Sequence, residues 1–482
     1  MKKNKVHFIG IGGIGVSALA RYYLASGWQV SGSDLARSEI TGALKKAGAR
    51  IKIGKHKADN LSWGVDLVVF SPAVKPNNPE LKQAYKLKTK NKKLKIWSYP
   101  EALGELTRKY FTIAVSGTHG KSTTTAMIGL ILIKASLDPT VIVGTKLKEF
   151  SPELVEGSNC RVGKSKYLVI EADEHFASFL NYWPKIIVLT TIEREHLDYY
   201  KNLNNVLKTY KKYISHLPKD GVLVANNDDK NISKIKSQKS KLPRRRNFVS
   251  LRGKQFKIKN YSIKQKEAGK IKKILKIPGR HNMANALAAL TVGRQLGISD
   301  KVIFKSLSEY KGAWRRFEEK TIKLKTPEGL RRDVGANGAG INYKLISDYG
   351  HHPTEIKVTC QAAREKYPKR KIWLVFQPHQ YQRTYYLFND FVKVLRQTQD
   401  EFFIDKLILT DVYDVAGRED KGIKKKINSE KLVKAVGKPA TIYLPKENIV
   451  GYLKRNLKGG EVVIIMGAGD IYELVAKLEK TR

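Results

Sequence analysis

The chain is poor in cysteine, poor in carboxylates relative to its basic residues, and without long apolar runs. Its 482 residues include two cysteines, Cys160 and Cys360. Two cysteines do not make a disulfide framework, and they favour a reducing, cytoplasmic compartment. No apolar run reaches the roughly 18 residues of a membrane span, and glycines interrupt the apolar N-terminal segment. We therefore expect a soluble protein with no signal peptide and no membrane partner.

Carboxylates are scarce: 44 Asp and Glu stand against 91 Lys and Arg, which gives a formal net charge of +47. Such an excess raises the hypothesis of a nucleic-acid-binding protein. The chain has no zinc-finger spacing, no RNP-like aromatic motif and no basic zipper, and its lysines are spread over several stretches. We therefore expect no specific nucleic-acid partner, and we interpret the charge as a solvated surface that attracts anionic substrates.

Length and patterning predict an α/β protein of about three domains. Hydrophobic residues make up 41% of the chain, which is enough to form buried cores. Short apolar strands alternate with helical segments, a pattern typical of parallel sheets. We place the domains at residues 1–108, 109–312 and 313–482. The lysine-rich stretch 230–276 is either a peripheral antiparallel sheet or a loose excursion.

The segment Ser116–Thr125, with the sequence SGTHGKSTTT, is the most informative part of the chain. It follows an apolar run, Tyr110–Val115, and precedes a helical run, Ala126–Ile133. A strand, a glycine loop and a helix in this order bind phosphate, because the loop N–H groups point at phosphate oxygens. Lys121 supplies a positive charge there, and the Ser122 hydroxyl can reach a Mg²⁺ ion.

A second glycine loop, Gly10-x-Gly12-x-x-Gly15, follows the first predicted strand, and Asp34 ends the second. This pattern matches the dinucleotide fingerprint and, taken alone, indicates an NAD enzyme. Glycines before a helix N-terminus can nevertheless hold any diphosphate. An NAD oxidoreductase is therefore one hypothesis. The presence of a second glycine loop that carries Lys121 argues against it.

Carboxylates and a histidine follow the strands that are predicted beside the phosphate loop. Glu171, Asp173 and Glu174 come at the end of the strand Tyr167–Ile170, and His196 follows the next strand. Because the carboxyl ends of parallel strands meet at one edge of a sheet, we expect these side chains near the phosphates. A carboxylate in that position typically holds Mg²⁺.

Further polar motifs lie in the second half of the chain. Arg280 and the asparagines that follow it open an Ala-rich helix, where they cap the helix or contact a nucleotide. Trp314–Phe317 pairs two guanidiniums, which suit phosphate or carboxylate. The adjacent histidines of Asp348–Pro353 have no acidic or cysteine partner at metal spacing nearby, so we expect a polar substrate contact. Arg383 follows a strand of the third domain.

Ten motifs, in this order, resemble the Mur ligase family over nearly the whole chain. They are HFIGIGGIGVSALA, SGTHGKSTTTAM, EADEHFASFL, HLDYY, GRHNMANALAA, WRRFE, DYGHHPTEI, FQPHQYQRT, LTDVYD and MGAGDIY. The resemblance implies a Rossmann-like N-terminal domain that binds the UDP part of the substrate and a central P-loop ATPase-like parallel-sheet domain that binds ATP. It further implies a C-terminal α/β Rossmann-like domain that binds an amino acid.

The activity that the resemblance implies is that of an ATP-dependent, ADP-forming ligase. Such an enzyme joins L-alanine to the lactyl carboxylate of UDP-N-acetylmuramate through an acyl phosphate, with Mg²⁺, in peptidoglycan precursor synthesis. We expect a monomer or a homodimer. Two alternatives remain: a murein-peptide ligase that acts on the same nucleotide sugar, and a basic binding protein on a decayed ligase scaffold.

The resemblance also assigns roles to residues that match family motifs. It gives catalytic roles to Lys121, Glu171, His196, His351 and Arg383. It gives ATP binding to Gly117, Thr118, His119, Gly120, Lys121, Ser122, Thr123, Arg280, His281, Asn282 and Asn285. It gives binding of the UDP-substrate to Gly10, Gly12, Gly13, Gly15, Asp34 and Arg316. It gives Mg²⁺ binding to Ser122, Glu171 and His196.

Five residues depart from the family pattern, among them Glu195, which stands where an Asp is usual and lengthens that carboxylate. Ser122 stands where Thr is usual, which preserves the hydroxyl. Arg194 puts a cation beside the expected metal site, and His175 replaces a usual Ser. Gln380 stands where an Arg is usual, which removes one charge near the substrate. The reaction class is unaffected by these changes, whereas the amino-acid selectivity is left open.

Overall fold

The computed structural model describes residues 3–61, 64–151, 157–237, 248–251, 254–324, 341–402, 404–415 and 421–479. These residues form three sheets with helices around them, which confirms the α/β prediction. The chain packs as two compact units. The first comprises Met1–Glu195, Tyr199–Leu275 and Ala284–Tyr310, and the second comprises His196–Asp198, Lys276–Met283 and Lys311–Arg482. The first unit contains two of the sheets, and the boundaries of the three predicted domains stay a prediction.

The first sheet is a five-stranded parallel sheet. Its strands are β1 Lys5–Ile9, β2 Gln29–Asp34, β3 Arg50–Ile53, β4 Leu67–Phe70 and β5 Lys95–Ser98. Its helices are α1 Ile14–Ala25, α2 Glu39–Lys46, α3 Pro79–Lys90 and α4 Tyr99–Lys109. The strand order β3-β2-β1-β4-β5 is that of a Rossmann-like sheet. The predicted strand, glycine loop and helix are therefore present at the N-terminus.

The second sheet has eight strands. They are β6 Phe111–Ser116, β7 Thr140–Leu147, β8 Ser158–Arg161, β9 Tyr167–Glu171, β10 Ile186–Leu189, β11 Val222–Asn226, β12 Phe248–Leu251 and β13 Lys254–Tyr261. Its helices are α5 Lys121–Lys134, α6 Leu197–Tyr200, α7 Leu203–Ile214, α8 Lys230–Ser237, α9 Glu267–Ile274, α10 Arg280–Gln295 and α11 Asp300–Glu309. The order is β12-β13-β11-β10-β6-β9-β7-β8, parallel except for β12 and β8 at the edges.

The third sheet has six strands. They are β14 Glu318–Leu324, β15 Ile341–Asp348, β16 Ile372–Phe376, β17 Lys406–Leu409, β18 Thr441–Tyr443 and β19 Val462–Met466. Its helices are α12 Pro353–Lys366, α13 Tyr381–Tyr386, α14 Phe388–Glu401, α15 Lys421–Lys424, α16 Ser429–Val436, α17 Lys446–Asn456 and α18 Glu473–Glu479. The order is β14-β15-β19-β16-β17-β18, and the pairing is parallel except at β14.

Alternation along the strands places one core on each face of the third sheet. In β19, Ile464 packs into one cluster, whereas Val463 and Ile465 pack into the other. Both clusters are completed by helices, as expected for a parallel sheet that is buried on both faces. This sandwich leaves the carboxyl ends of the strands as the edge where polar side chains gather.

The stretch 230–276 supplies two strands at one edge of the second sheet, so the expected peripheral strands are present, but they do not form an antiparallel sheet of their own. β13 pairs in parallel with β11, and β12 pairs with β13 in the antiparallel sense. Residues 238–247 lie outside the described residues. Residues 325–340 also lie outside the described residues, whereas β14 and β15 on either side pair with each other.

Candidate active site

The phosphate loop lies between β6 and α5, and Lys121 is the first residue of the helix. Gly117 and Gly120 adopt φ angles of +140° and +82°, which favour glycine. A Cβ atom at Gly117 would lie 2.1 Å from Thr190 Oγ1, and one at Gly120 would lie 2.4 Å from Asn285 Oδ1. The two glycines therefore allow a tight loop whose N–H groups precede a helix N-terminus.

Lys121 is the cation of this loop. Its Nζ atom donates to the carbonyl oxygen of Gly117 at 2.7 Å, and it lies 3.0 Å from Glu174 Oε2 and 3.8 Å from Asp173 Oδ1. Burial alone would lower the pKa of Lys121, but the neighbouring carboxylates raise it above its usual value. Lys121 is therefore held as a permanent positive charge.

Glu174 was expected near the phosphates among the acidic residues after β9, but it was not assigned an individual role. Its side chain is 2% exposed, and burial raises its pKa to about 7, although Lys121 opposes that shift. A buried carboxylate that faces the loop lysine belongs to the phosphate site. The signal in the sequence was its place in the acidic run after β9, which we interpreted as a metal site only.

Ser122 and Glu171 lie together at the start of α5. Ser122 Oγ donates to Glu171 Oε1 at 3.1 Å, and the Gly144 N–H donates to Oε2 at 2.7 Å. A hydroxyl and a carboxylate oxygen are the donors that Mg²⁺ prefers. These residues thus fit a magnesium ion. His196 adopts a left-handed φ of +53° in the second compact unit, and its place among the ligands stays a prediction.

The loop is fastened to the segment that follows β10. The N–H groups of Thr118 and His119 donate to the carbonyl and hydroxyl oxygens of Thr191, at 2.8 and 3.0 Å. Thr190 Oγ1 donates to the His119 carbonyl oxygen, and the Glu193 N–H donates to Thr118 Oγ1. Thr118 and His119 are therefore held by the neighbouring strand end, which fixes the conformation of the loop.

A further layer of amides and a carboxylate holds that segment in turn. Asn226 Nδ2 donates to the Thr190 carbonyl oxygen at 2.9 Å, and Asn231 Nδ2 donates to that of Ile192 at 2.7 Å. Asp229 Oδ2 accepts from the Ile192 N–H at 3.1 Å. This support could not be predicted from the sequence, because no spacing relates position 190 to position 226.

The first residues of α10, which were predicted to bind ATP, separate into two groups. Asn285 belongs to the first compact unit and lies against Gly120. Arg280, His281 and Asn282 belong to the second unit, and Asn282 Nδ2 donates to the Pro278 carbonyl oxygen at 2.6 Å. Asn285 is thus brought to the phosphate loop, whereas Asn282 stabilises the turn that starts the helix. Thr123 is buried inside α5.

The first glycine loop is braced by the end of β2. The Gly10 N–H donates to the Ser33 carbonyl oxygen at 2.9 Å, and the Gly12 N–H donates to Asp34 Oδ2 at 2.8 Å. A Cβ atom at Gly12 would lie 2.9 Å from the same carboxylate oxygen. One oxygen of Asp34 is therefore engaged by the loop itself. Gly13 precedes α1 as its N-cap.

Gly15 is required by a close approach rather than by its backbone conformation. A Cβ atom there would lie 2.7 Å from the Tyr99 ring. The predicted loop is thus closed by contacts on both sides, from β2 and from the start of α4. Its N–H groups precede α1 and can hold a diphosphate.

A buried carboxylate, Glu80, joins the elements behind this loop. It accepts hydrogen bonds from Ser33 Oγ and Asn60 Nδ2, and its oxygens lie 3.0 Å from His7 Nε2 and 2.9 Å from His56 Nδ1. Burial would raise the pKa of Glu80, but these hydrogen bonds outweigh it and lower the pKa to about 2. Glu80 was absent from the predicted site residues.

In the second unit, the two adjacent arginines differ in their surroundings. Arg315 is 4% exposed, and its guanidinium donates to the carbonyl oxygens of Gly467 and Gly469 and lies over the Tyr472 ring at 4.5 Å. Arg316 is more exposed, and its Nη1 atom lies 3.9 Å from Glu355. The sequence treated them as one pair, whereas the structure makes Arg315 a structural residue.

Asp348 fixes the loop that carries the adjacent histidines. Its carboxylate accepts from the N–H groups of Phe317 and Gly350 at 2.9 and 2.7 Å. Burial raises its pKa to about 6. His351 follows, with its N–H donating to Glu355 Oε2 at 2.8 Å. Asp348 thus ties the arginine motif to the histidine motif.

Arg383 is 9% exposed and lies beside His379. Its Nη1 atom lies 3.0 Å from His379 Nδ1 and 3.1 Å from the His379 carbonyl oxygen. Because arginine only donates, His379 Nδ1 accepts and the ring proton lies on Nε2. The rings of His351 and His379 are 5.5 Å apart, so His351 and Arg383 flank the same histidine. Gln380 adopts a left-handed φ of +70° at the N-cap of α13.

No helix within the described ranges has both the length and the apolar character needed to cross a membrane. Cys160 and Cys360 are buried, free thiols. Arg194 is exposed.

Comparisons with known proteins cover most of the chain. Three family models match it: "Mur ligase family, catalytic domain" at residues 5–111, "Mur ligase middle domain" at 115–293, and "Mur ligase, glutamate ligase domain" at 335–469. The chain is 40% identical to a UDP-N-acetylmuramate–L-alanine ligase of Aquifex aeolicus, over 97% of this chain and 95% of that one. It is also 40% identical to the ligase of the same name from Acetivibrio thermocellus, over 98% and 95%.

Solved structures agree with these relatives. The UDP-N-acetylmuramate-alanine ligase of Thermotoga maritima has a TM-score of 0.71 at 27% identity, over 99% of this chain and 100% of that one. A murein peptide ligase of Psychrobacter arcticus shares the fold, with a TM-score of 0.67 at 21% identity over 99% and 98%. The chain therefore belongs to the Mur ligase family, as its ordered motifs predicted, and is an ATP-dependent ligase.

Proposed function

We propose that this ligase joins L-alanine to the lactyl carboxylate of UDP-N-acetylmuramate, with ATP converted to ADP and phosphate. The observation that carries the proposal is the pairing of Lys121 with Glu174 beside Ser122 and Glu171, at the start of α5. This arrangement suits phosphoryl transfer to a carboxylate. The alanine ligases that are 40% identical to the chain support the choice of substrates.

The chemistry starts from an unreactive group, since a carboxylate does not accept an amine until one oxygen can leave. Phosphorylation by ATP forms an acyl phosphate, the amine attacks its carbon, and the tetrahedral intermediate collapses to the amide and phosphate. Lys121 and the loop N–H groups stabilise the transferring phosphoryl group, which carries spread negative charge. The enzyme thus acts by positioning and charge neutralisation.

Ser122 and Glu171 would hold Mg²⁺, with His196 as a third ligand by family resemblance. A bound magnesium ion neutralises charge on phosphate oxygens and orients them. The hydrogen bond between Ser122 Oγ and Glu171 Oε1 keeps these two oxygens within reach of one ion. The same carboxylate is oriented by the Gly144 N–H, so its geometry is set by the protein.

Substrate contacts follow from the other motifs. We assign the uridine diphosphate to the loop Gly10–Gly15, whose N–H groups precede α1. We assign the muramoyl carboxylate and the developing oxyanion to Arg316, His351 and Arg383. We assign the adenine side of ATP to the start of α10, where Asn285 lies against Gly120.

A direct assay tests the proposal. The protein is incubated with UDP-N-acetylmuramate, ATP, Mg²⁺ and each of a panel of amino acids, and released phosphate is measured. L-Alanine should give the fastest release, and amide formation should be seen by mass spectrometry. Absence of turnover with every amino acid would refute the proposal.

The second candidate is a murein-peptide ligase, because the structural similarity to such an enzyme extends over the whole fold. A tripeptide in the same assay distinguishes the two. Faster turnover with the tripeptide than with L-alanine would reverse the choice.

The hypothesis of an NAD oxidoreductase has its own test. Nicotinamide binding, measured by fluorescence, is expected to be absent.

We further propose that the enzyme works in the cytoplasm as a monomer or a homodimer. The buried, free thiols of Cys160 and Cys360 suit a reducing compartment. Sedimentation of the purified protein tests the oligomeric state.

A further inference from the structure

The segment that follows Glu174 has an unusual backbone. Phe176 and Ala177 adopt φ angles of +51° and +55°, with ψ angles of 26° and 28°. Residues with a Cβ atom rarely adopt this left-handed conformation, and two in succession are rarer still. Such backbone strain persists only where the surroundings enforce it, and it concentrates at functional sites.

Four hydrogen bonds enforce the conformation. The Ala177 N–H donates to the Glu174 carbonyl oxygen at 2.8 Å, and the Phe179 N–H donates to that of Asp173 at 3.1 Å. Ser178 Oγ donates to the His175 carbonyl oxygen at 2.7 Å. The Tyr200 hydroxyl also donates to the Glu174 carbonyl oxygen. The strained turn is thus anchored to the carbonyl of the residue that pairs with Lys121.

The left-handed turn carries an exposed aromatic ring. Phe176 is 48% exposed and Tyr199 is 43% exposed. Their ring centroids are 5.4 Å apart in an edge-to-face arrangement, and the His175 ring stacks on Phe176 at 4.1 Å. We name His175, Phe176 and Tyr199 the aromatic platform. By contrast, Phe179 in the same segment is fully buried.

The aromatic platform begins one residue after Glu174, whose carboxylate lies 3.0 Å from Lys121 Nζ. In the proposed reaction, the carboxylate to be phosphorylated must come to Lys121. A lactyl ether joins that carboxylate to the sugar ring of N-acetylmuramate, so the ring lies only a few bonds away. Any group that binds the ring must therefore lie close to Glu174, as the platform does.

The chemistry of the platform suits a sugar ring. One face of a pyranose presents C–H groups, which are apolar and slightly positive, and an aromatic face is negative. Exposed aromatic side chains that border a polar site commonly mark ligand contacts. Nucleobases also stack on aromatic rings, but in both nucleotides the base lies at the end remote from the reacting carboxylate.

We propose that the aromatic platform is the subsite for the N-acetylmuramoyl ring, with Phe176 and Tyr199 as the contacting residues. The inference rests on the proposed function. It adds a sugar-recognition role to a segment whose neighbouring residues had been assigned only to metal and phosphate. His175, one of the departures from the family pattern, then supports the Phe176 ring.

Calorimetric binding of two ligands tests the proposal. UDP-N-acetylmuramate carries the sugar, whereas UDP lacks it. Phe176→Ala and Tyr199→Ala should each weaken binding of the sugar nucleotide by about tenfold, since one aromatic contact is lost. Binding of UDP should stay within twofold of wild type. Phe176→Tyr, which keeps the aromatic face, should bind both ligands like wild type.

Tyr85→Ala is the matched control, because Tyr85 is an exposed aromatic residue of α3. Circular dichroism and thermal melting confirm that each variant is folded. Unchanged binding of the sugar nucleotide in both alanine variants would overturn the proposal, and so would an equal loss of affinity for UDP. If the wild-type protein itself neither binds nor turns over UDP-N-acetylmuramate, the proposed function fails instead.

Discussion

Lys121 and Glu174 form a buried ion pair in which Nζ and Oε2 lie 3.0 Å apart. The loop of Gly117 presents a carbonyl oxygen to the same ammonium group. The ammonium group of Lys121 is therefore held by protein oxygens from the loop and from the end of the neighbouring strand. We expect bound ATP to add phosphate oxygens to this set, with Glu174 holding the lysine in place.

Lys121→Ala is expected to lower the turnover number by about 10³-fold, because one preorganised positive charge at a phosphoryl group is lost. Phosphate release measures the effect, and circular dichroism should show an intact fold. The substitution leaves Glu174 buried without its partner, which can destabilise the protein. The double variant Lys121→Met with Glu174→Gln removes both charges and serves as the control. Retained turnover in either variant would contradict the assignment of the phosphate loop.

Glu174→Gln should change how stability depends on pH. In the folded protein the pKa of Glu174 is raised to about 7 from an ordinary value of 4.5. The folded state therefore binds more protons than the unfolded state between these pH values. The resulting stabilisation is present below pH 4.5 and is lost as pH rises through about 7.

Urea denaturation at pH 5 and pH 8 checks this expectation. The wild type should lose more unfolding free energy between the two pH values than Glu174→Gln, which has no titrating group at that position. Equal losses in the two proteins would show that Glu174 does not titrate in this range.

Ser122 is expected to act through its hydroxyl. Ser122→Thr keeps this group and should retain most activity, whereas Ser122→Ala should raise the Mg²⁺ concentration for half-maximal turnover by about tenfold, because one oxygen donor near Glu171 is lost. A Mg²⁺ titration of phosphate release provides the measurement. Identical titrations of the alanine and threonine variants would argue against a metal role for residue 122.

Glu80→Ala should destabilise the protein by about 3–5 kcal/mol, since it removes a buried carboxylate that holds His7 and His56. The lowered pKa of about 2 predicts the pH dependence as well. The carboxylate contributes stability above its ordinary pKa of 4.5, and this is lost as pH falls through about 2. Glu80→Gln should therefore flatten the acid limb of the stability curve. Denaturant titrations between pH 3 and pH 7 measure the unfolding free energy of both proteins. A loss of stability at low pH that is as steep in Glu80→Gln as in the wild type would contradict this expectation.

Substitution by lysine should affect stability at Arg315 and substrate binding at Arg316. Arg315→Lys loses the Nη2 group that donates to the carbonyl oxygens of Gly467 and Gly469, so it should cost about 1–3 kcal/mol of stability. Arg316→Lys should leave stability within about 0.5 kcal/mol and raise the KM for UDP-N-acetylmuramate. Thermal melts and steady-state kinetics on both variants test the distinction. A stable Arg315→Lys protein would contradict the structural role of Arg315.

Several features of this protein were predictable from local sequence. The strand predicted at Tyr167–Ile170 is present as β9, and the apolar run Tyr110–Val115 that precedes the phosphate loop forms β6, Phe111–Ser116. The phosphate loop and the first glycine loop were recognisable because glycine spacing between a strand and a helix encodes a backbone conformation. Such features depend on neighbours in the chain, and the sequence alone determined them.

Other features depended on contacts between residues far apart in the chain. Nothing in the sequence relates Glu80 to His7, or Asn226 to Thr190, yet each pair forms a hydrogen bond in the structure. The adjacent arginines 315 and 316 are chemically identical, and only packing buries the first. Local sequence determines which side chains are present at the end of a strand. The tertiary structure decides which of them is buried, paired or exposed, because burial and charge pairing arise only when distant elements meet.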